Sequence, residues 1–353
     1  MGKCLITKLE GRVSNNELLK LGEMRFYFLK DKVSSPKAAT RSITLTFTED
    51  TTISITGGHF TDSDLVQNLG TTLHLNKLEP KAIYVSNEEG FISVNKYQLK
   101  DIKITDVYLT SKIYFNIDDL KYSNYLTSLE ANSNLVNGDI ASLKEKESLT
   151  KILLEATQVS GDISAFSNMT GLTRVNISRT KVSGDISVFS NMTNLSNLIL
   201  ADTQVSGNIA SLQNLTKLKQ INLSRTKVSG DISAFSNMTD LNELRLTVNS
   251  SDIVGEVSSL PGKIRFYTAN RLNNLTWNGT RESSKSIFGI ESANFGSFVD
   301  KILINLAACA DMKISSDPTW YNTIAVAGTR TSASDAAVQT LQSKGYTVSI
   351  TPA

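Results

Sequence analysis

The chain has 353 residues, of which 40% are hydrophobic, and its 36 Lys and Arg against 34 Asp and Glu give a formal net charge of +2. Such a length predicts two or three domains with hydrophobic cores, and the near balance of charge excludes the concentrated basic surface of a nucleic-acid-binding protein. Because only Cys4 and Cys309 are present, neither a disulfide framework nor a cysteine metal site is expected.

The first residues, "MGKCLITKLEGR", contain no apolar stretch of the length that a signal peptide requires. Elsewhere no run approaches the roughly 18 apolar residues of a membrane span. We therefore expect a protein that is neither exported through a signal peptide nor a partner of membranes.

Residues 1–103 predict a compact β-rich domain. The segment "RSITLTFTEDTTISITGG" alternates apolar and polar residues on both sides of a polar pair, which predicts a β-hairpin. Its inward positions and its turn are, in order, Ile43, Leu45, Phe47, the turn at Glu49 and Asp50, Ile53 and Ile55. The spacing of Ile104, Val107 and Leu109 predicts that a repeat region starts near residue 104.

A segment of twelve residues then occurs three times. "VSGDISAFSNMT" begins at Val159, returns with one change at Val182, and returns unchanged at Val228. The glycine of this unit recurs every 23 residues and then once after 25 residues, at Gly138, Gly161, Gly184, Gly207, Gly230 and Gly255. A period in the twenties predicts a solenoid, in which each coil packs against the next.

The full unit reads L-x-x-L-x-L-x-x-T-x-V-x-G-[DN]-I-x-x-[FL]-x-x-[ML]. Its alternating leucines predict a short strand with one face inward, its glycine permits a tight turn, and the apolar residues that follow at intervals of three suit a helical return. The unit resembles the leucine-rich repeat, and its G-x-I element resembles the plant-type subclass. This resemblance implies an α/β solenoid, mostly β with short helical returns, over residues 104–260.

One position departs from the leucine-rich-repeat pattern. Where the family places a buried Asn, the chain has Asn134 once and a threonine in the later coils, at Thr157, Thr180, Thr203 and Thr226. A hydroxyl has fewer hydrogen-bonding groups than an amide. We expect these hydroxyls to bond the backbone of the neighbouring coil.

Paired inward positions predict one parallel ladder of strands. They are Leu129/Ala131, Ile152/Leu154, Val175/Ile177, Leu198/Leu200, Ile221/Leu223, Leu244/Leu246, Ile264/Phe266, Ile302/Ile304, Ile324/Val326 and Val348/Ile350. The long gap between the seventh and eighth pairs predicts a loop-like insertion with Trp277, Phe288 and Phe295. Residues 261–353 would thus hold irregular repeats and a cap, formed by a helix from Ser334 to Lys344 and a last strand from Tyr346 to Ile350.

The sequence offers little material for catalysis. His59 and His74 are its only histidines, and no nucleotide-binding loop or EF-hand loop is present. His59 is interpreted as a turn residue and His74 as an exposed strand residue. We expect no enzymatic activity, no cofactor and no metal.

Four aspartates share one repeat position: Asp139, Asp162, Asp185 and Asp231. They could line up as a Ca²⁺ site or, in pairs, act in glycoside hydrolysis. Alternatively, each carboxylate accepts backbone N–H groups in its own turn. The second interpretation is favoured, because Asn208 replaces one member while the rest of its unit is unchanged. Matches to N-x-[ST], for example at Asn168, Asn191 and Asn237, are taken as composition.

The outward strand positions differ from unit to unit although the framework hardly changes. The first set is Ser128, Lys151, Arg174, Asn197, Gln220 and Glu243, and the second is Glu130, Leu153, Asn176, Ile199, Asn222 and Arg245. A varied surface on a constant framework is what a concave recognition surface needs. The candidate ligand contacts are Lys151, Arg174, Asn176, Asn197, Gln220, Asn222, Glu243 and Arg245. The alternative is that exposed residues vary because nothing restrains them.

Both ends of the chain resemble known proteins. "MGKCLITKLEG" with "NNELLKLGEMRF" resembles the N-termini of virion structural proteins in crAss-like and related phages of gut bacteria. "LINLAACADM" and the closing "GTRTSASDAAVQTLQSKGYTVSITPA" are similar to the last segment of leucine-rich-repeat proteins from those phages and their hosts.

The resemblance implies a head or tail fibre or a decoration subunit of a virion, assembled in the host cytoplasm and exposed on the particle. Residues 1–103 would anchor it to other virion proteins, and the solenoid would meet a host glycan or protein. Since such fibres are commonly trimeric, a homotrimer is expected by analogy. The alternatives are a bacterial surface leucine-rich-repeat adhesin and a polysaccharide depolymerase, which needs two carboxylates in one cleft.

Overall fold

The computed structural model describes residues 23–28, 41–57, 60–61, 72–78, 80–85, 90–95, 99–106, 113–131, 135–246, 253–261, 264–268, 275–276, 287–308 and 323–352. Within these ranges the strands form one 12-stranded and one 14-stranded sheet. The first strands are β1 Glu23–Phe28, β2 Arg41–Phe47, β3 Thr51–Gly57, β4 Phe60–Thr61, β5 Thr72–Leu75, β6 Lys81–Val85, β7 Gly90–Asn95, β8 Leu99–Asp106 and β9 Ile113–Asn116.

The repeats supply two strands per coil, one to each sheet. These strands are β10 Ser128–Ala131, β11 Val136–Asp139, β12 Lys151–Leu153, β13 Gln158–Asp162, β14 Arg174–Asn176, β15 Lys181–Asp185, β16 Asn197–Ile199, β17 Gln204–Asn208, β18 Gln220–Asn222, β19 Lys227–Asp231, β20 Glu243–Leu246 and β21 Ile253–Glu256. The even-numbered strands lie in the 14-stranded sheet and the odd-numbered strands in the 12-stranded sheet. Each coil therefore contributes one strand to each of the two sheets that enclose the core.

A short 3₁₀ helix closes each coil and returns the chain to the next even-numbered strand. These helices are Ile117–Tyr122, Ile140–Leu143, Ile163–Phe166, Ile186–Phe189, Ile209–Leu212, Ile232–Phe235 and Val257–Ser259. The parallel pairing follows the period, since Ile152 lies beside Val175 and Val175 beside Leu198. Consecutive coils thus place the same repeat position side by side, as the 23-residue period predicts.

The core is a column of like side chains. In the coil of β14 and β15 every inward apolar residue is fully buried: Leu172, Val175, Ile177, Val182, Ile186, Phe189 and Met192. Phe166, Phe189 and Phe235 take the same position in three coils and are among the largest buried side chains. Stacking gives every coil an apolar neighbour, which a single coil lacks.

The glycine at the end of each odd-numbered strand has a backbone conformation that other residues rarely adopt. Gly184 has φ +118°, and a Cβ placed on it would come 2.6 Å from Oδ1 of Asp162 in the preceding coil. Gly207 has φ +103° and meets Asp185 in the same way, at 2.5 Å. Both the turn and the close approach of coils therefore require glycine.

The N-terminal strands continue both ladders of the solenoid. β8 pairs in parallel with β10 and antiparallel with β2, and β9 pairs in parallel with β11 and antiparallel with β1. The buried apolar residues of both parts belong to one continuous cluster. The predicted boundary between residues 103 and 104 lies inside β8, and the division into three domains stays a prediction.

Two predictions near the N-terminus are wrong. β2 and β3 flank the predicted turn, but β2 pairs with β6 and β8 whereas β3 pairs with β5 and β7, so the segment is an arch between the two sheets and not a hairpin. The arch lets Phe47 and Ile53 both face the core. Ile104 pairs with Ala131, so the first ladder strand lies earlier than the spacing predicted. Val107 and Leu109 lie outside the described residues.

The C-terminal part comprises β22 Ile264–Thr268, β23 Leu275–Thr276, β24 Ile287–Gly296, α1 Val299–Ala308, β25 Thr323–Gly328, a 3₁₀ turn Ser332–Ser334, α2 Asp335–Ser343 and β26 Thr347–Thr351. The predicted rungs at Ile324/Val326 and Val348/Ile350 are confirmed, because β25 and β26 pair there. The cap is also confirmed, with helix and last strand within a residue or two of their predicted ends.

The seventh predicted rung is present but shifted in register, and the eighth is wrong. Ile264 and Phe266 are both buried in β22, which pairs in parallel with β20, but Phe266, not Ile264, lies beside Leu244. Ile302 and Ile304 belong to α1, whose buried residues Val299, Ile302, Leu303 and Leu306 have helical spacing. The missing rung is β24, inside the predicted insertion, so Phe288 and Phe295 lie in a strand and not in a loop. Trp277 lies outside the described residues.

None of the helices in the described ranges is both long enough and apolar enough to cross a membrane.

Candidate functional site

The strand face is the outward side of strands β10, β12, β14, β16, β18 and β20. Its first column holds Ser128, Lys151, Arg174, Asn197, Gln220 and Glu243, and its second holds Glu130, Leu153, Asn176, Ile199, Asn222 and Arg245. Each residue lies beside its equivalent in the next coil. All eight candidate contacts predicted from the sequence therefore share one surface, while their role in binding stays a prediction.

A row of hydroxyl residues precedes the strand face and fixes the spacing of its coils. The Oγ1 of Thr150 donates to the carbonyl of Thr127 at 3.0 Å, and that of Thr173 donates to Thr150 at 2.9 Å. Ser196 continues the row with a bond of 3.0 Å to the carbonyl of Thr173. The backbone beneath the first column is thus held from coil to coil.

Towards the C-terminal end, the strand face carries a chain of hydrogen bonds. Asn197 Nδ2 donates to Gln220 Oε1 at 2.9 Å, and Gln220 Nε2 donates to Glu243 Oε1 at 3.1 Å. Arg245 Nε donates to the same carboxylate oxygen at 2.6 Å. Four of the candidate contacts therefore orient one another before any ligand arrives.

The side chains of the two asparagines of the second column also hydrogen-bond the backbone of their own coil. The Oδ1 of Asn176 accepts the backbone N–H of Ser178 at 3.1 Å and its hydroxyl at 2.7 Å. Its Nδ2 donates to Glu155 at 3.0 Å. Asn222 repeats the backbone contact with Ser224 at 3.1 Å. Both side chains hold the bend that follows their strand, so they are less available to a ligand than the sequence suggested.

The two cations of the first column differ. Lys151 lies 3.5 Å from the carboxylate of Glu130. The side chain of Arg174 is exposed, and within the described ranges it makes no side-chain hydrogen bond or ion pair. The middle of the strand face thus has one guanidinium without a carboxylate in the described ranges.

The sequence pattern did not reveal the charged side chains at the bends that follow strands β12, β14, β16 and β18. Arg179 pairs with Glu155 of the preceding coil, and Arg225 pairs with Asp202 through two nitrogens. The hydrogen bond from Arg225 lowers the pKa of Asp202 and raises that of Arg225. Opposite charges one repeat apart were the available signal. They border the strand face, but each is occupied by its partner.

In the four central coils, from β12 to β19, the strand face varies more than the opposite ladder. At the outward positions of the odd-numbered strands these coils alternate between two residues, Gln158, Lys181, Gln204 and Lys227, and then repeat one, Ser160, Ser183, Ser206 and Ser229. In the flanking coils Asn137 and Val254 take the place of the serine. The positions on both ladders are exposed or half-buried, so the two sides of the four central coils differ in variation although they are similarly exposed.

The aspartates of the shared repeat position accept backbone N–H groups in their own turns, as the favoured interpretation predicted. Asp139, Asp162, Asp185 and Asp231 accept from the residue two positions later at 2.7–2.8 Å, and Asn208 does the same at 2.8 Å. The backbone hydrogen bond from Ser187 lowers the pKa of Asp185. Within the described residues no three His, Cys, Asp or Glu side chains are grouped to hold a metal ion.

The prediction that the threonine hydroxyls bond the backbone of the neighbouring coil is wrong, because they bond the backbone of their own coil. Thr180 Oγ1 donates to the carbonyl of Ile177 in its own coil at 2.6 Å, and Thr157, Thr203 and Thr226 bond in the same way. The short side chain reaches only three residues back. At this bend the hydrogen bond between coils is made by the backbone instead, for example from Arg179 N to the carbonyl of Ala201 at 2.8 Å. Asn134 lies outside the described residues.

Of the two histidines, only His74 lies within the described residues, and it is not on the strand face. His74 is exposed in β5, as predicted, and lies 3.3 Å from the hydroxyl of Thr52. His59 lies outside the described residues.

Comparison with known proteins agrees with this geometry. Residues 140–257 match six copies of the BspA type leucine rich repeat region. The solenoid is a leucine-rich-repeat fold. No curated protein matches the chain.

Several solved structures are similar over part of the chain. Internalin C2 of Listeria monocytogenes is 20% identical with a TM-score of 0.38, over 51% of this chain and 80% of that one. A chain of the BIR3–SERK2 complex of Arabidopsis thaliana is 28% identical with a TM-score of 0.27, over 32% and 64%. A plant ice-binding protein is 19% identical with a TM-score of 0.37, over 50% and 60%. The chain thus spans less than two thirds of the last two.

Proposed function

We propose that the chain is a non-enzymatic recognition protein that binds a macromolecular partner through the strand face. The observation that carries this proposal is the contrast between the two sides of each coil. In the four central coils, the eight outward positions of the strand face hold Lys, Arg, Asn, Gln, Leu and Ile, while the eight equivalent positions of the other ladder hold only Gln, Lys and Ser. A rigid ladder that presents varied side chains supplies the preorganised surface that binding favours.

We further propose that the protein is a structural subunit of a phage particle, located on its surface. This part rests on the resemblance of the two chain ends to virion and phage-associated proteins. Residues 1–103 would attach the subunit to other virion proteins, as a homotrimer by analogy with fibres, and the strand face would meet the host. A bacterial surface adhesin would use the same strand face, so the two candidates differ in location and not in the binding surface.

The binding proposal is tested by removing side chains from one ladder at a time. Asn197→Ala with Gln220→Ala changes the strand face, and Lys181→Ala with Lys227→Ala changes the opposite ladder by the same number of residues. Each full-length variant is used as bait against a peptide-display library and a glycan array. We expect loss of the selected binders only for the first variant, with both variants folded by circular dichroism. Equal loss or equal retention contradicts the proposal.

The location is tested by gold-labelled antibody against the full chain on purified phage particles and on intact bacteria of the same culture. Label on particles supports the virion proposal. Label on cells alone identifies a bacterial adhesin, and label on neither contradicts both.

A further inference from the structure

Arg174 differs from the other arginines of the protein. The arginines whose side chains the structure describes are Arg174, Arg179, Arg225, Arg245 and Arg330, and all but the first pair with a carboxylate, namely Glu155, Asp202, Glu243 and Asp335. Arg174 is exposed in the first column of the strand face. A guanidinium carries five donors in a planar fork that matches a carboxylate.

The neighbours of Arg174 are already engaged. On one side Lys151 lies 3.5 Å from Glu130, and on the other Asn197 bonds Gln220 at 2.9 Å and accepts from Ser196 at 2.8 Å. Along its own strand Asn176 is held by Ser178 and Glu155. Within the part of the chain that the structure describes, the surrounding pairs cancel in charge, so Arg174 leaves one positive charge in the middle of this surface.

Two aliphatic side chains lie beside this charge. Leu153 and Ile199 occupy the second column on either side of Asn176 and are half-buried, so part of each apolar surface stays in water. A partner that covers them removes apolar area from water and also lowers the local dielectric around Arg174. A carboxylate between aliphatic groups would match both features at once.

We propose that Arg174 anchors a protein partner of this chain, by pairing with an Asp or Glu side chain whose aliphatic neighbours cover Leu153 and Ile199. This inference rests on the proposed function and adds the chemistry of the partner. The strand face from Ser128 to Arg245 holds no aromatic residue in its twelve positions, so it offers no ring on which a sugar could stack. Arginine is among the residues enriched at protein interfaces and at their binding hot spots.

The test selects peptides from a random display library with the full-length chain as bait. We expect the selected sequences to be enriched in Asp or Glu beside Leu, Ile or Val. The best selected peptide, and a copy with its carboxylate changed to the amide, are then titrated against the wild type and three variants by calorimetry. Arg174→Gln removes the charge, Arg174→Lys keeps the charge without the fork, and Lys181→Gln removes a charge from the opposite ladder as a matched control.

Loss of the hydrogen-bonded charge pair should weaken binding of the acidic peptide by about 10-fold or more in Arg174→Gln, with less loss in Arg174→Lys and none in Lys181→Gln. The amide copy should bind wild type and Arg174→Gln equally. Peptides without acidic enrichment, or equal affinity of Arg174→Gln and wild type, overturn the inference. If peptides are not selected and polygalacturonate binds in a manner dependent on Arg174, the partner is an acidic polysaccharide and the inference is also overturned.

The outcome separates this inference from the function on which it rests. If Asn197→Ala with Gln220→Ala abolishes binding while Arg174→Gln does not, the strand face is a recognition surface and only the role of Arg174 is wrong. If neither variant alters binding, both proposals fail.

Discussion

The two sides of each coil obey different physical rules. The glycine corner is the turn at the end of each odd-numbered strand of the repeats, from Gly138 to Gly255. There the glycine takes φ between +103° and +124°, and the Asp or Asn of the preceding coil lies against it. On the strand face, the side chains leave the core and the first column holds six different residues in six coils. The corner therefore repeats because its geometry admits few residues, whereas the strand face is free to differ and to carry specificity.

The largest expected effect comes from breaking the corner. Gly184→Ala forces φ +118° on a residue with a side chain and sets its Cβ 2.6 Å from Asp162 Oδ1 and 2.8 Å from Ile163 Cγ1. We expect the free energy of unfolding to fall by about 3 kcal/mol or more, as measured by urea unfolding.

Gly171→Ala is the matched control. Gly171 is not in the left-handed region, and an added Cβ would find its nearest atoms at 3.8 Å. Its unfolding free energy should stay constant or rise by up to about 1 kcal/mol, since alanine restricts the unfolded chain. Equal losses at Gly184 and Gly171 would show that the corner does not demand glycine.

The second effect concerns the coil in which a lysine takes a buried position that holds Met or Leu in the other coils. Lys146 is only 3% exposed and occupies the repeat position that Met169, Met192, Leu215 and Met238 fill elsewhere. Its Nζ donates to the carbonyl of Lys121 at 3.0 Å. Lys146→Met should raise the unfolding free energy by about 1 kcal/mol, because removing a buried charge outweighs the loss of one hydrogen bond.

The pH dependence of this effect gives an independent check. Burial lowers the pKa of Lys146, an effect that the charge of Glu145 partly opposes. Between that lowered pKa and the ordinary lysine value near 10.4, the unfolded chain binds more protons than the folded one, so wild-type stability rises with pH. The advantage of Lys146→Met should therefore be largest at neutral pH and shrink towards pH 10. An advantage that is independent of pH would contradict the role of the buried ammonium.

The sequence predicted the repeated coils and the C-terminal cap well, but it predicted the N-terminal strands and residues 287–308 poorly. Glycines spaced by 23 residues fixed the coils, because like positions must stack. In contrast, the residues around Ile302 and Ile304 satisfy both a strand alternation and the helical spacing of Val299, Ile302, Leu303 and Leu306, and only packing against the ladder decides for the helix. The arch between β2 and β3 was missed for a similar reason, since local alternation does not say which sheet a strand joins.

The sequence predicted that the eight candidate residues share one surface, but it did not predict the hydrogen bonds and ion pairs that they make. Repeat alignment alone placed the eight contacts in two columns. It could not show that Asn176 and Asn222 hold their own bends, nor that Arg245 pairs with Glu243 while Arg174 pairs with nothing in the described ranges. Those facts depend on side-chain conformation, which the repeat pattern does not determine.

The third effect tests the aspartate of the corner. Asp185→Ala removes the hydrogen bond to the backbone N–H of Ser187, which is 2.8 Å long, and should cost about 1 kcal/mol of unfolding free energy. Asp185→Asn should cost no more than a few tenths, because Asn208 makes the same bond at 2.8 Å in the next coil.

The pKa of Asp185 is lowered by this hydrogen bond, so its stabilisation is present above the ordinary aspartate pKa and is lost as the pH falls through the folded value. Asp185→Asn should abolish that acid sensitivity, as urea unfolding at a series of pH values below the ordinary aspartate pKa near 3.9 would reveal. Stabilisation by added Ca²⁺ in wild type but not in Asp185→Asn would instead revive the metal interpretation of these aspartates.

The smallest effect on stability is expected from a substitution on the strand face. It gives the clearest contrast between the strand face and the glycine corner. Arg174→Gln removes an exposed side chain without a described partner, so the unfolding free energy should change by less than about 0.5 kcal/mol. The same substitution is expected to weaken binding of the acidic peptide. A residue that matters to a partner and not to the fold is what a recognition surface requires, whereas Gly184 matters to the fold alone. If Arg174→Gln destabilised the protein as strongly as Asp185→Ala, the residue would belong to the framework, and the division between the two sides of the coil would fail at its central position.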